Sequence, residues 1–241
     1  MRLINLMIIA GFFMGCSASK VLVNEEKNSE YIESETKSDT SMAQMSNYAI
    51  FNYINSLEAD DYYTLLDSIK KGTSTDYFTL RMAYTKTRKW LPYETEISQK
   101  HKEINSLIGL ARYDEALKIS ESILDENFVE ITTQLINGYL YKLLGDTARS
   151  VLNYKIYEEL LKSIYASGDG KSAKTAFIVI STDEEYVFLK WFNLQFAGQS
   201  LLSEDGHSFD LLKAIDQETK EEFDIYFNID LPFSYLSNTF K

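Results

Sequence analysis

The feature that most constrains the fold is a change in the spacing of apolar residues near Ser167. Between about residues 47 and 164, apolar side chains recur every three or four positions, which predicts amphipathic helices. After Ser167 the chain changes to short β-branched or alternating runs, which are typical of strands. The sequence therefore predicts an α+β fold in which helices precede a small sheet.

Apolar stripes divide the first region into successive helices, which begin near Ile50, Tyr62, Tyr77, Ile97, Tyr113, Ile131 and Ala148. Gly72 stands where a C-terminal helix cap belongs, and the third helix must end before Pro92. Residues 111–124 resemble the turn and second helix of a tetratricopeptide unit. Gly145 follows Ala111 by 34 residues, which is the period of that family. We therefore expect two tetratricopeptide-like helical hairpins packed against another element.

The second region predicts a small, mainly antiparallel sheet with the order β-α-β-β-β. The predicted strands are residues 176–180, 199–203, 208–215 and 223–229. Asp205 and Gly206 form a strong hairpin signal between the second and third of these. Ser181 and Thr182 are each followed three residues later by a glutamate, which offers a capping box for a short helix to about Phe192.

The first fifteen residues resemble an export signal that ends at a lipidation site. Arg2 supplies the positive end, and residues 3–15 form an almost wholly apolar run that is too short to span a bilayer. Cys16, the only cysteine in the sequence, follows this run and resembles the lipobox cysteine of bacterial lipoproteins. We expect cleavage before Cys16 and acylation of its thiol, with an incidental thiol as the alternative.

These patterns predict four segments. Residues 1–15 are a lipoprotein signal peptide, and residues 16–45 are a lipidated tether too polar to fold. Residues 46–166 form the helical tetratricopeptide-like half, and residues 167–241 form the β-α-β-β-β half. We expect the two halves to dock as one unit, because each leaves an apolar face that the other can cover.

The acidic balance of the chain restricts its partners. The net charge is −12 at pH 7, and no cluster of basic residues reverses it locally. Such a chain repels phosphate backbones, which excludes nucleic acid as a partner. The expected partners are the membrane, through the N-terminal lipid, and a protein.

The motifs that would carry catalysis or hold a metal are weak. Residues 167–172, SGDGKS, match half of a nucleotide-binding loop, but Tyr165 replaces its first glycine, and a helix precedes where a strand is needed. We expect a turn there. His101 lies on an apolar stripe and is expected in the core, and His207 is expected in solvent. We predict no catalytic residue, metal site or cofactor.

Four blocks in order resemble the bacterial domain-of-unknown-function family 4919. They are residues 76–94, 167–186, 197–202 and 225–230. The resemblance covers about residues 55 to 232 and implies an exported or lipidated protein of a Gram-negative bacterium, without an assigned activity. The positions that match the family pattern are Arg81, Tyr84, Pro92, Asp169, Lys171, Glu184, Glu185 and Gln199.

Two functions are compatible with the sequence. The first is a non-enzymatic lipoprotein of the cell envelope, anchored in the outer membrane, that binds a protein through its helical half. In that case Tyr139, Tyr141 and Tyr154 are candidates for a groove, although a core position is the simpler expectation. The alternative is an enzyme or small-ligand-binding protein whose site lies at the helix–sheet junction. The residues of that candidate site are Asp169, Lys171, Glu184 and Glu185.

Overall fold

The computed structural model describes residues 47–93 and 95–239 of the chain. The predicted signal peptide, Cys16 and the tether lie outside the described residues. Within the described part, none of the helices is both long enough and apolar enough to cross a membrane.

Successive helices fill the first part of the described chain, as the apolar spacing predicts. They are α1 (Asn47–Ser56), α2 (Ala59–Lys70), α3 (Tyr77–Tyr84), α4 (Glu96–Gly109), α5 (Tyr113–Glu126), α6 (Ile131–Leu143) and α7 (Thr147–Tyr165). Side chains cap several of them: the Asp76 carboxylate accepts the first free amides of α3, and Asp146 accepts the Arg149 amide in α7. Gly72 follows α2 with a φ of +73°, a backbone angle that favours glycine.

The second part contains a four-stranded mixed sheet. After a short 3-10 turn (Ala173–Thr175), its elements are β1 (Phe177–Ile178), α8 (Thr182–Trp191), β2 (Leu194–Glu204), β3 (His207–Asp216), β4 (Glu222–Asn228) and α9 (Asp230–Thr239). The strand order is β1-β4-β3-β2. Only β1 and β4 are parallel; the other two pairings are antiparallel. The predicted α+β class is confirmed.

Three local features differ from the sequence-based expectation. Strand β2 begins at Leu194, five residues early, because a bulge between Phe196 and Gly198 breaks the alternation that marks a strand. Helix α9 follows β4, and it tolerates Pro232 because the ring falls in the first turn, where the amide has no intrahelical partner. The predicted capping box is wrong: the Ser181 side chain caps nothing.

The helices and the sheet share one apolar core. It joins Ile54 of α1, Leu80 of α3 and Leu161 of α7 to Phe188 of α8 and Phe227 of β4, all almost fully buried. A second cluster lies between α4, α5 and α6 and includes the buried residues Ile104, Leu107, Ala116, Ile123, Ile136 and Leu140. Helix α7 packs on α6 and also on α3 and β1. It therefore connects the helical hairpins to the sheet.

Candidate functional site

A buried ion pair fixes the junction between the helices and the sheet. Arg81 of α3 is fully buried, and its Nε and Nη2 donate to the two carboxylate oxygens of Glu184 at 3.0 and 2.5 Å. Its Nη1 and Nη2 also donate to Ser163 Oγ on α7 and to the Ile178 carbonyl on β1, each at 3.2 Å. A charge this deeply buried is tolerated only when it is paired and hydrogen-bonded. The pair therefore orients α3, α7, β1 and α8 together.

The same glutamate explains why α8 lacks its predicted capping box. Besides Arg81, the Glu184 carboxylate accepts the amide of Ile180 at 2.9 Å, so it is unavailable to the Ser181 amide. Glu184 thus accepts the amide of Ile180, which is one residue before the amide that a capping box would use.

A cavity of about 40 Å³ opens beside this ion pair. Three connections line it: the α3–α4 loop with Trp90 and Leu91, the α5–α6 loop with Asn127 and Glu130, and the start of α8 with Asp183 and Glu184. The Trp90 ring is held in place because its Nε1 donates to the Ile180 carbonyl at 3.1 Å. The cavity wall is therefore built from both halves of the chain.

Glu130, in the wall of the cavity, lies beside His101 of α4. Glu130 accepts the amide and hydroxyl hydrogen bonds of Thr133, and His101 Nε2 lies 3.5 Å from its Oε2 and 2.8 Å from Thr133 Oγ1. Burial opposes charge on both groups. The pKa of Glu130 is nevertheless lowered by His101 and Thr133, and that of His101 is raised by Glu130 and then Asp183. His101 is thus only partly buried, with 19% of its side chain exposed, and lies beside a carboxylate instead of within the apolar core that the sequence predicts.

Glu185 faces away from this cavity, toward the sheet. It is fully buried, as is the neighbouring Asp210 of β3, at 0 and 3% exposure. The Glu185 carboxyl group interacts with the Asp210 side chain. Burial first, and then the charge of Asp210, raise the pKa of Glu185 to about 10. Glu185 is therefore protonated at neutral pH.

Asp169 and Lys171 lie in an exposed turn that contacts neither Glu184 nor Glu185 through a described hydrogen bond or ion pair. The amides of Asp169 and Gly170 both donate to the Thr175 carbonyl, and the Lys171 amide donates to Asp169 Oδ1. A phosphate loop needs such amides to point at its ligand. Here they are used within the turn, and no described hydrogen bond or ion pair joins this turn to Glu184 or Glu185. Of the four predicted residues, only Glu184 lines the cavity.

The sequence predicts that His207 lies in solvent, but the structure shows it packed against two other side chains. Its Nδ1 bonds the carboxylate of Asp230 at the start of α9, and its ring stacks on Phe51 of α1, with centroids 5.4 Å apart. The sequence carries no local signal for this contact, because its three members come from distant elements.

An apolar surface lies at the far end of the helical hairpins. We call Ala148, Val151 and Leu152 the α7 stripe; all three are exposed, with Val151 at 62% and Leu152 at 47%. Leu144 and Ala148 also line an open groove with Tyr141, a residue the sequence offered as a groove candidate. Tyr141 is mostly buried, donates to Glu121 at 2.5 Å, and lies under the Arg149 guanidinium.

The other two groove candidates are half-buried. Tyr139 and Tyr154 belong to the α6–α7 pair, where the Tyr154 ring packs so closely on Gly138 that an added Cβ would come within 2.9 Å. A small residue facing an aromatic ring in this way lets the two helices approach each other.

Comparison with known proteins gives one assignment. No curated protein and no solved structure is significantly similar to the chain, so the tetratricopeptide-like character of the hairpins stays a prediction. A family model described as Domain of unknown function (DUF4919) matches residues 49–237, which include the ion pair, the cavity and the α7 stripe. The chain therefore belongs to the DUF4919 family.

Proposed function

We propose that the protein is a non-enzymatic lipoprotein of the cell envelope that binds a protein partner through its helical half. The observation that carries this proposal is the exposure of the α7 stripe. In helical repeat proteins the last helix of one unit is covered by the next unit or by a capping helix. Among the described residues, Val151 and Leu152 have no such cover.

The stripe has the chemistry of a contact surface. Its residue Ala148 lines, together with Leu144, a groove that also contains Asp114, Asp146 and Arg149. Apolar patches rimmed by polar groups are typical of protein-binding sites on otherwise soluble surfaces. Helix α6 is less suited to a partner, because eight of its thirteen residues are buried in the packing of the hairpins. The end of the hairpins is therefore the part of this half best suited to a partner.

The proposed anchor is the lipidated Cys16, in the outer membrane of a Gram-negative bacterium. About thirty residues separate Cys16 from α1. A flexible segment of that length has a root-mean-square reach of roughly 30 Å. This distance would let the α7 stripe meet partners beside the membrane.

The test compares two substitutions of equal chemistry on opposite halves. Val151→Asp places one charge on the stripe, at a residue with 62% exposure, whereas Leu201→Asp places one charge on a similarly exposed residue of β2 (59%). Envelope cross-linking of the full chain, followed by mass spectrometry, should lose one specific partner in the stripe variant and keep it in the Leu201 variant. Circular dichroism checks that both variants stay folded.

Retention of every cross-linked partner by a folded stripe variant would contradict the proposal. Equal loss in both variants would contradict it too, because the effect would then follow from added charge and not from the stripe.

A second candidate function is small-ligand binding at the helix–sheet junction. The observation that favours it is the cavity between the α3–α4 loop, the α5–α6 loop and the start of α8. This cavity lies at the predicted helix–sheet junction and is lined by Glu184. The other three predicted residues, Asp169, Lys171 and Glu185, lie outside its lining.

A further inference from the structure

Strand β2 forms one edge of the sheet. In the order β1-β4-β3-β2, the strand that pairs with it is β3. The helical half packs at the opposite edge, where α7 contacts β1, and α8 lies over one face of β2. Along β2 the residues from Gln199 to Leu201 are exposed, as are Ser203 and Glu204. The outer edge of β2 therefore faces solvent in the described part of the chain.

Hydrogen bonds on the far side of β4 determine which groups of β2 point outward. The Tyr226 amide donates to the Gly170 carbonyl, and the Asn228 carbonyl accepts the Val179 amide, so both residues of β4 bond away from β3. In an antiparallel ladder, successive residues bond alternately to one side and to the other. Phe227, which lies between them, therefore bonds to its partner on β3.

The same alternation continues across β3 to β2. The partner of Phe227 on β3 is Asp210, so the next residue, Leu211, bonds toward β2, where its partner is Ser200. The residues of β2 that bond away from β3 are then Gln199, Leu201 and Ser203. Their amides and carbonyls form an outward row, and no other described strand pairs with it.

Most of this edge lacks the features that keep sheet edges apart. Proteins protect exposed edges with charged residues, proline, bulges or short strands. Strand β2 has eleven residues and no proline, and its one charged residue, Glu204, stands at its end. The bulge between Phe196 and Gly198 protects only the first part of the strand. Residues 198–204 therefore form an edge that can accept another strand.

We propose that residues 198–204 pair antiparallel with the same residues of a second copy of the chain, about a two-fold axis at Leu201. In this register the amide and carbonyl of each Leu201 bond those of its counterpart. Gln199 of each copy exchanges the same two hydrogen bonds with Ser203 of the other. The whole outward row is thereby paired.

The distribution of charge favours a second copy as the partner. The chain carries a net charge of −12, so two copies repel each other over most of their surface. Strand β2 is uncharged before Glu204, so two copies can approach here without opposing like charges. The proposed register places Glu204 opposite Gly198. It also places the two Leu201 side chains, each 59% exposed in the single chain, beside each other.

The small size of this contact sets its strength. Seven residues a side is well below the roughly 20–30 of a standard stable interface. We therefore expect a reversible dimer that forms at high protein concentration. The contact contains no residue of the α7 stripe, so the inference is independent of the proposed function.

The first experiment is sedimentation equilibrium of the full chain in density-matched detergent, from micromolar to near-millimolar concentration. Leu201→Pro removes an outward amide and leaves the β3 ladder intact, because proline is tolerated where an edge amide faces solvent. Leu201→Asp places two like charges beside each other at the axis. Both should weaken dimerisation at least tenfold. Val151→Asp adds the same charge to the α7 stripe, at a residue with 62% exposure, and should leave dimerisation unchanged.

Disulfide trapping tests the register, in the full chain with Cys16→Ala so that each variant has one thiol. The Cα atoms of a hydrogen-bonded antiparallel pair lie about 5.5 Å apart, within the reach of a disulfide. Leu201→Cys should therefore cross-link under mild oxidation. Gln199→Cys should not, because the two copies of that residue are offset by four positions, or ~13 Å along the strand. A mixture of Gln199→Cys and Ser203→Cys chains should cross-link.

Four results would overturn the proposal. They are a monomer at every concentration, unchanged dimerisation of folded Leu201→Pro and Leu201→Asp, loss of the dimer in Val151→Asp, and equal cross-linking of Gln199→Cys and Leu201→Cys. A monomer would mean that another polypeptide, or none, pairs with this edge. Circular dichroism shows whether each variant is folded. Because Leu201→Asp should lose the dimer and keep the partner of the α7 stripe, the two surfaces fail or succeed separately.

Discussion

Replacing Glu185 by glutamine should change how the stability of the fold depends on pH. Its pKa rises from 4.5 in the unfolded chain to about 10 in the fold, so between these values only the folded chain keeps the proton. Stability is therefore greatest below the unfolded pKa and falls as pH rises. At pH 7 this titration lowers the free energy of unfolding by about 3 kcal/mol, because each pH unit above pH 4.5 lowers it by ~1.4 kcal/mol.

Glutamine removes this titration but keeps the size of the side chain. The advantage of Glu185→Gln over the wild type should therefore grow with pH, by up to ~1.4 kcal/mol per unit between pH 5.5 and 8. The absolute difference at any one pH also contains the cost of burying an amide, which is roughly 1–3 kcal/mol. The slope is therefore the quantity to compare. Urea unfolding of the full chain, followed by circular dichroism at several pH values, measures it.

The adjacent residue provides the matched control. Glu184→Gln makes the same chemical change one position earlier, but it leaves the buried Arg81 without its charged partner. We expect a loss of about 3–5 kcal/mol at neutral pH. Stability curves for Glu185→Gln and wild type that stay parallel from pH 5.5 to 8 would refute the assignment of a buried, protonated Glu185.

Three further outcomes are expected. Cys16→Ala should move the protein out of the detergent phase or leave it unprocessed, and wild-type processing and partitioning would argue against the lipobox. We expect calorimetry to detect no ATP or GTP binding by either the wild type or Lys171→Ala. Micromolar binding by the wild type that Lys171→Ala abolishes would contradict the prediction that residues 167–172 form only a turn. Gly170→Ala should destabilise the fold more than Gly72→Ala in urea unfolding. Both glycines have positive φ, but only at Gly170 does an added Cβ meet a side chain, 2.4 Å from the Phe177 ring. Equal destabilisation by the two substitutions would show that the Phe177 ring can move away from the added Cβ at no cost.

The sequence predicts the elements of the fold because their signals are local. Apolar spacing marks each helix, and Asp205-Gly206 marks the β2–β3 hairpin, since neighbouring residues decide these structures. The short β1 is less predictable. Its five-residue apolar run is fully buried, but only Phe177 and Ile178 pair with β4, because pairing depends on a distant partner.

The candidate site is harder to predict because it forms only in the folded chain. Trp90, Asn127 and Asp183 are separated by dozens of residues, and nothing in the sequence indicates that their loops meet. Glu184 and Glu185 show the same limit at short range. Both look like ordinary acids at a helix start, yet successive helical residues point about 100° apart. One therefore reaches Arg81 and the other faces Asp210.

The parallel pairing of β1 with β4 has a consequence for how the chain reaches its native state. Strand β1 is the first strand along the chain, β4 is the last, and β4 is the strand neighbour that β1 has in the described sheet. Nascent or truncated chains that end before Glu222 therefore lack the strand with which Phe177 and Ile178 pair. Contacts between such distant segments form slowly, because a long loop must close first. The sheet can thus be completed only after the chain has been synthesised through β4.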